Sequence, residues 1–196
     1  RQRQMCIRDR DEDQPEEPRL FAVSCGIGFD AAVCAEAMSS RIKDTMNRIG
    51  LGKLTYLGIA LKQLITARKV SCTLTLEDTV HDKKESVELP RFLFVTCMSH
   101  RYEGGGFMFC PPAVDHDGVL DLCSVGNISK GLVLLALPTA FFGKHYFVKG
   151  INAHTATQMS ITASAPLWVH TDGEVTRKSR GFRVECLPGA IRMITP

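Results

Sequence analysis

The hydrophobic and polar positions of this chain follow two periods, and the change between them divides the chain into two parts. Residues 20–29 form an apolar stretch that predicts a buried strand running into a glycine-rich turn. The helix formers of residues 30–46 then predict a helix with Asp30 as its N-cap. Residues 53–68 place apolar side chains near a 3.6-residue period, which predicts a second, amphipathic helix.

Beyond residue 69 the period shortens to two, which is typical of strands that bury one face. A single helical insertion interrupts this half at residues 129–143, where Ser129 is expected to cap a helix and Pro138 to bend or end it. The pattern predicts an α+β protein that is mostly β, a sandwich with a few flanking helices. The predicted strands are VSCTLTLED (70–78), ESVEL (85–89), RFLFVTCMS (91–99), GVLDLCSV (118–125), ATQMSITAS (156–164), LWVHTD (167–172), FRVECLP (182–188) and AIRMITP (190–196).

The composition is that of a globular protein, since 44% of the 196 residues are hydrophobic and 23% are charged. The net charge of +3 comes without a basic block interleaved with aromatic residues, so we expect no nucleic-acid partner. Eight cysteines lie singly in apolar stretches, which predicts buried thiols and a reducing cytoplasm. The apolar run Leu132–Leu137 is far shorter than the roughly 20 residues of a membrane span. If a bilayer is a partner, we therefore expect peripheral contact.

The first 18 residues are charged and lack apolar periodicity, and we expect them to be a mobile tail outside a folded unit of residues 19–196. The opening RQRQMCIRDR resembles translated adapter sequence found at the ends of assembled genomic fragments, and no Met precedes it. We therefore expect the tail to be an artefact and an upstream domain to be missing.

The stretch from Arg101 to Leu122 carries three consecutive glycines, Gly104 to Gly106, followed by an Asp-His-Asp-Gly turn. Glycines without a Cβ let a ligand or another chain approach the backbone closely. The Asp-Gly pair fits a plain hairpin turn. It also fits a hard-cation site, because a carboxylate beside turn carbonyls offers the oxygen ligands that Mg²⁺ prefers.

The stretch LWVHTDGEV delivers Asp172, Gly173 and Glu174 to a turn at the end of a predicted strand. This is again a possible hairpin turn. A carboxylate at such a position could also accept a proton from an attacking hydroxyl, and Glu174 is the better candidate for that base. His170 shares the face of Asp172 if the strand is extended, because side chains alternate between faces.

A third stretch, Cys25 to Ala31, contains a Gly-x-Gly between the first predicted strand and helix. The third glycine of a dinucleotide-binding fingerprint is replaced by Ala31, and no βαβ unit follows. A tight turn that presents Asp30 to a neighbouring site explains the stretch as well.

Together these stretches resemble the bacterial diacylglycerol kinases and related lipid kinases, a family grouped with sphingosine and ceramide kinases and more distantly with NAD kinases. The resemblance covers nearly all of residues 19–196 and rests on motifs in a shared order. The matching text is GIGFDAAV (26–33), KLTYLGIALKQL (53–64), YEGGGFMFCPPAVDHDGVLDL (102–122), FFGKHY (141–146), HTDGEV (170–175) and VECLPGAIRMITP (184–196).

The resemblance implies the C-terminal β-sandwich domain of an ATP- and Mg²⁺-dependent lipid kinase that phosphorylates the primary hydroxyl of diacylglycerol or a similar lipid. It implies that Glu174 is the base and that Asp172 supports the magnesium and phosphate side. Asp30 is expected to face the same network. A magnesium site is implied at Asp117, with the carbonyl groups of Val114 and Val119.

The family's Gly-Gly-Asp-Gly-Thr nucleotide motif does not occur in these residues, so we expect the chain alone to be inactive. The resemblance further implies a cytoplasmic protein that visits a membrane surface, and a homodimer stays open. Two alternatives stay open as well. One is an enzyme like NAD kinase, and the other is a non-catalytic sandwich module that binds a ligand.

Overall fold

The computed structural model describes residues 2–3, 6–9, 19–39, 52–103, 106–189 and 191–192. Within these residues strands are the commonest element, and the α-helices are α1 (Phe29–Ser39), α2 (Gly52–Thr66) and α3 (Lys130–Ala136). Two short 3-10 helices span Leu137–Phe142 and His145–Phe147. The strands are β1 (Gln2–Arg3), β2 (Cys6–Asp9), β3 (Arg19–Leu20), β4 (Ser24–Gly28), β5 (Val70–Asp78), β6 (Lys83–Met98), β7 (Leu120–Gly126), β8 (Ile151–Ala156), β9 (Gln158–Thr171), β10 (Glu174–Glu185) and β11 (Ile191–Arg192).

One antiparallel sheet dominates the described residues, with strand order β3-β2-β10-β9-β4-β6-β7-β8 and with β5 paired to both β6 and β9. Because β10 follows β9 along its length, β4 and β5 share the other edge of β9, near its end and its start respectively. The same two strands pair with opposite halves of β6. The sheet therefore curls back on itself, and the predicted mostly β, sandwich-like fold is confirmed.

The long strands β6 and β9 each replace two predicted segments. The sequence pattern predicted a break between two strands at Pro90 and another break at Pro166. Both breaks were wrong, because β6 and β9 continue through these prolines. Proline lacks a backbone N–H and is tolerated in a sheet at bulges and edges. The pairing of β6 with β5 is irregular between Cys72 and Val70, opposite Pro90, and the pairing of β9 with β10 is irregular next to Ser179, opposite Leu167.

Two hydrophobic clusters lie on opposite faces of β6, which explains why residues 91–99 read as a continuous apolar run. Val95 and Cys97 belong to one cluster, and Phe94 and Met98 belong to the other. Helix α3 packs into the second cluster with Val133. The second half of β6 is therefore buried on both faces.

The helices agree well with the sequence pattern. Residue Ser129 caps α3 as predicted, since its hydroxyl accepts the N–H of Leu132, and the α-helix gives way to a 3-10 helix next to Pro138. Asp30 lies inside the first turn of α1 instead of at the N-cap, because the helix begins at Phe29. The end of the first predicted helix, after Ser39, lies outside the described residues. No helix of the described residues is long and apolar enough to cross a bilayer.

The first residues of the chain are partly in strands, whereas the sequence pattern indicated a mobile tail. β2 pairs with the outer edge of β10, and β3 pairs with β2. An open sheet edge accepts backbone hydrogen bonds whatever the side chains are, so a charged segment can dock there.

Five thiols of the described residues lie buried, as their apolar surroundings suggested, whereas Cys34 and Cys186 are only half-buried. Cys25, Cys72, Cys97, Cys110 and Cys123 are buried and form no disulfide. Burial raises the pKa of Cys72 and of Cys123 to about 12 each, which keeps these thiols protonated and inert.

Candidate active site

The turn between β9 and β10 consists of Asp172 and Gly173, both with positive φ (49° and 81°). A two-residue loop of this kind is a regular hairpin connection. The Asp172 carboxylate accepts the backbone N–H groups of Ala22, Val23 and Ser24 at 2.8, 2.8 and 3.0 Å. Its own N–H donates to the Ser24 carbonyl at 2.8 Å. Asp172 therefore fixes the turn to the chain that enters β4.

Glu174 follows the turn as the first residue of β10, and its side chain is 72% exposed. Arg19 donates to its carboxylate at 3.1 Å, in an ion pair that is open to solvent on both sides. Exposed pairs of this kind contribute little to stability. The Glu174 carboxylate is thus held loosely and can be approached from outside the sheet.

Directly behind the turn lies a buried histidine. The His170 side chain is 1% exposed, and its Nε2 lies 3.1 Å from an Asp30 carboxylate oxygen and 3.6 Å from Glu103. The N–H of Gly173 donates to its Nδ1 at 3.3 Å, so the Nε2 proton is the one shared with Asp30. His170 therefore links the Asp-Gly-Glu turn to the first turn of α1.

The protonation of this group follows from burial and from two neighbouring carboxylates. Burial by itself would lower the pKa of His170, while the hydrogen bond and charge of Asp30 and the charge of Glu103 raise it, and the balance is upward. The Gly173 N–H at Nδ1 opposes a second proton on the ring. For Glu103 burial is the largest influence and raises the pKa, while the charge of His170 and the hydrogen bond from Ser24 oppose the increase.

Gly26 makes the contact between His170 and Asp30 possible. It is paired with His170 across β4 and β9. A Cβ at this position would lie 2.0 Å from the Asp30 carboxylate and 2.5 Å from His170 Nε2. The Gly-x-Gly stretch is therefore explained by the approach of two side chains, and no dinucleotide fingerprint is needed.

Glu103 belongs to the loop that carries the glycine run. Ser24 donates to its carboxylate at 2.7 Å, and its backbone N–H donates to the Phe107 carbonyl at 2.9 Å. Gly106 has φ of 89°, in the left-handed region that favours glycine. Gly104 and Gly105 lie outside the described residues. Glu103 and Ser24 were missed from the sequence, although a charged residue before three glycines in an apolar tract was a usable signal.

An apolar cavity of about 50 Å³ opens next to Asp30. It lies between the second hydrophobic cluster and α3, and Asp30 is its acidic lining residue. His145 also lines it, and its Nε2 donates to the Phe109 carbonyl, 3.1 Å away, while its buried Nδ1 has no hydrogen-bond partner. Burial lowers the pKa of His145, which favours the neutral ring. Apolar lining residues include Phe29, Phe94, Phe109, Val125, Val133 and Ala136.

The Asp117 loop lies at the same end of the strands as the Asp-Gly-Glu turn. The register Thr171–Cys25–Cys97–Leu122 places β4 and β6 between them. The ends of β9 and β7 are therefore three strand spacings, or about 14 Å, apart. The structure brings the Asp30 and Asp172 carboxylates close to His170, while Glu174 follows the turn and the Asp117 loop precedes a different strand.

Within the loop, Asp117 accepts the N–H of Val119 at 3.1 Å, and Gly118 has φ of 81°. Burial and the nearby charge of Asp117 raise the pKa of Asp121 to about 6. In the described part of the chain, no three His, Cys, Asp or Glu side chains converge as metal ligands. The oxygen set implied by the resemblance, the Asp117 carboxylate with the carbonyls of Val114 and Val119, uses a single side chain. A cation there would offset the repulsion between Asp117 and Asp121.

A family model of the YegS C-terminal NAD kinase beta sandwich-like domain matches residues 23–195. The chain therefore belongs to this family of sandwich domains, as the sequence motifs indicated.

Curated relatives carry lipid kinase names. A "Probable lipid kinase YegS-like" protein of Xanthomonas euvesicatoria pv. vesicatoria is 35% identical over 98 residues, which cover 49% of this chain and 31% of the relative. A protein of the same description from Xanthomonas campestris pv. campestris is 30% identical over 74% of this chain and 45% of its own length. A "Diacylglycerol kinase" of Mycobacterium tuberculosis is 25% identical over 84% of this chain and 51% of its own length. The chain spans about half, or less, of each relative.

Solved structures share the fold. A crystal structure described as a diacylglycerol kinase from Bacillus anthracis has a TM-score of 0.53 at 16% identity, covering 95% of this chain and 51% of that one. Another chain from the same organism has a TM-score of 0.59 at 20% identity, covering 95% of this chain and 55% of that one. The lipid kinase family assignment inferred from the motifs is thus supported by sequence and by fold.

Proposed function

We propose that this chain is the lipid-binding part of an ATP-dependent kinase that phosphorylates the primary hydroxyl of diacylglycerol or a related lipid. The observation that carries the proposal is the position of the apolar cavity. Asp30 is one of its lining residues, and His170 connects Asp30 to the turn that bears Glu174. An acyl chain in this cavity would bring the polar end of the lipid toward the Asp30 carboxylate.

In this proposal Glu174 removes the proton from the lipid hydroxyl, whose oxygen bonds to the γ-phosphorus of ATP as the bond to ADP breaks. Glu174 suits the role because its carboxylate is exposed and held only by a surface ion pair. Asp30 lies in the wall of the cavity and orients the polar group of the lipid, and His170 holds the Asp30 carboxylate through Nε2. Asp172 is a positioning residue. Three backbone N–H groups bind its carboxylate and thereby fix the turn that presents Glu174.

The Mg²⁺ ion of the proposal fits the Asp117 loop. Its donor set consists of oxygens only, and the carboxyl group of Asp121 is nearby with a raised pKa that a cation would lower. In this position Mg²⁺ would stabilise the Asp117 loop by offsetting the repulsion between Asp117 and Asp121. The nucleotide itself would be held by residues outside this chain, so we expect the chain alone to be inactive.

The residues that line the cavity also favour a lipid over the alternative substrate, NAD. Adenine and ribose present several hydrogen-bonding groups, whereas the lining is apolar apart from Asp30, Cys123 and His145. A phosphoryl-transfer assay on the full-length gene product, with labelled ATP and with diacylglycerol or NAD as acceptor, tests the proposal. Phosphorylation of diacylglycerol is expected. Transfer to NAD alone, or to neither acceptor, would contradict it and favour one of the two alternatives.

A further inference from the structure

The segment that lines the cavity with Val133 and Ala136 also exposes apolar side chains to solvent. We use the name docking segment for residues 129–150, which contain α3 and both 3-10 helices. Half of the exposed large hydrophobic side chains among the described residues lie in this segment. They are Leu132, Leu134, Leu135, Phe141, Phe142 and Phe147. Exposed apolar patches on this scale mark interaction sites more often than chance would place them.

The exposure of individual side chains in this segment is high. Leu135 is 73% exposed, Phe142 is 74% exposed and Phe147 is 88% exposed. On the same short helix, Val133 and Ala136 are buried and line the cavity. Helix α3 therefore lies between the apolar cavity and the exposed leucine side chains.

The charge of this region indicates the kind of partner. No Asp or Glu occurs between Asp121 and Asp172, whereas Lys130, Lys144 and Lys149 lie in the docking segment. Lys144 and Lys149 are exposed, and Lys130 donates to the Ile65 carbonyl at the end of α2. A surface with exposed Leu and Phe, three cations and no anions complements an anionic bilayer, where apolar side chains enter the interface and lysines meet lipid phosphates.

We infer that the docking segment is a membrane-docking surface that inserts its leucine and phenylalanine side chains into an anionic lipid bilayer, directly over the cavity. The inference rests on the proposed function and adds to it the route of the substrate. A lipid leaving the bilayer would reach the cavity across α3 without passing through water. The insertion gives affinity for any bilayer, and the lysines add a preference for anionic lipid that salt screens.

The test is sedimentation of this chain with vesicles of phosphatidylcholine, with and without phosphatidylglycerol. The variant Leu135→Glu/Phe142→Glu is expected to lose at least tenfold in affinity for both kinds of vesicle. The variant Lys144→Gln/Lys149→Gln is expected to lose affinity for the phosphatidylglycerol vesicles alone. Val80→Glu is the matched control, since Val80 is 74% exposed in the β5–β6 hairpin and lies outside the docking segment. It should bind like the wild type.

Several results would overturn the inference. One is a wild-type chain that binds neither kind of vesicle, and another is equal loss in Val80→Glu. A third is light scattering that shows self-association through Leu135 and Phe142 with no vesicle binding, which would assign the surface to a second copy. Circular dichroism of each variant confirms that it is folded. Vesicle binding requires no turnover, and phosphorylation of a water-soluble, short-chain diacylglycerol requires no bilayer, so this inference and the proposed function can fail separately.

Discussion

His170 Nε2 lies 3.1 Å from an Asp30 carboxylate oxygen, although 140 residues separate them in the chain. The contact joins the end of β9 to the first turn of α1 and lies between the apolar cavity and the Asp-Gly-Glu turn. Gly26 is the position that leaves room for it. The proposed active site therefore depends on a close approach that a single methyl group would disturb.

Gly26→Ala tests this dependence. The added Cβ would overlap the Asp30 carboxylate and the buried His170, which cannot move away without losing their mutual contact. We expect the free energy of unfolding to fall by about 1–3 kcal/mol, as in other overpacked sites. Urea denaturation measures the change. Gly58→Ala is the control, because a Cβ there meets nothing within 4 Å in helix α2, and it should raise stability by about 0.5–1 kcal/mol. Equal effects of the two variants would contradict the account.

Glu103→Gln tests the buried carboxyl group through pH. Burial raises the pKa of Glu103 in the folded protein, so its carboxyl group destabilises the fold once the unfolded chain ionises, above pH about 4.3. The glutamine keeps an oxygen that can accept from Ser24 but does not titrate. The wild type should therefore lose stability relative to the variant as the pH rises from 4 to 8. Denaturation at both pH values checks this, and a difference that is constant or of opposite sign would exclude a raised pKa.

Ala136→Leu tests the role of the cavity. The larger side chain points into a space of about 50 Å³ and should fill it, so affinity for a short-chain diacylglycerol is expected to fall by about tenfold or more. Isothermal titration calorimetry measures the affinity. Gly131→Ala is the control in the same helix, because its added Cβ meets nothing within 4 Å. Unchanged affinity in a folded Ala136→Leu protein would place the acyl chain elsewhere.

Asp117→Asn tests the proposed metal site. A ligand that binds only the folded state stabilises it by RT ln(1 + [L]/Kd), which is about 2.7 kcal/mol at a hundredfold excess over Kd. Millimolar Mg²⁺ should therefore raise the melting temperature of the wild type and leave that of Asp117→Asn unchanged. Asp82→Asn, in the exposed β5–β6 turn, serves as the control and should respond like the wild type. A response that survives Asp117→Asn would remove this residue from the site.

The sequence predicted strands well where apolar residues alternate and poorly where they do not. The segment Val70–Asp78 alternates and was predicted with its observed bounds. Strand β8 carries Asn152, His154 and Thr155 and was missed, as was the charged first half of β10. Both segments form strands because their backbones pair with neighbouring strands of the sheet. The periodicity of their side chains does not reveal this pairing.

The site was predicted in part for a similar reason. Asp30, Asp172 and Glu174 lie in short motifs and could be selected from the text alone. The glycine run beside Glu103 was a usable signal for that residue, but its contact with Ser24 could not be predicted, because the hydrogen bond spans 79 residues and depends on the register of β4 against β6. The observed partners of Asp172 are also backbone groups, which no motif specifies.

The most direct test of the account is the turnover of Glu174→Gln in the full-length gene product, with diacylglycerol and ATP as substrates. Because Glu174 is exposed and proposed as the general base, we expect phosphorylation of diacylglycerol to slow by about 10²–10⁴-fold while the melting temperature stays unchanged. Glu85→Gln, an exposed glutamate on β6, is the control and should match the wild type. Turnover of Glu174→Gln at the wild-type rate would contradict the central claim.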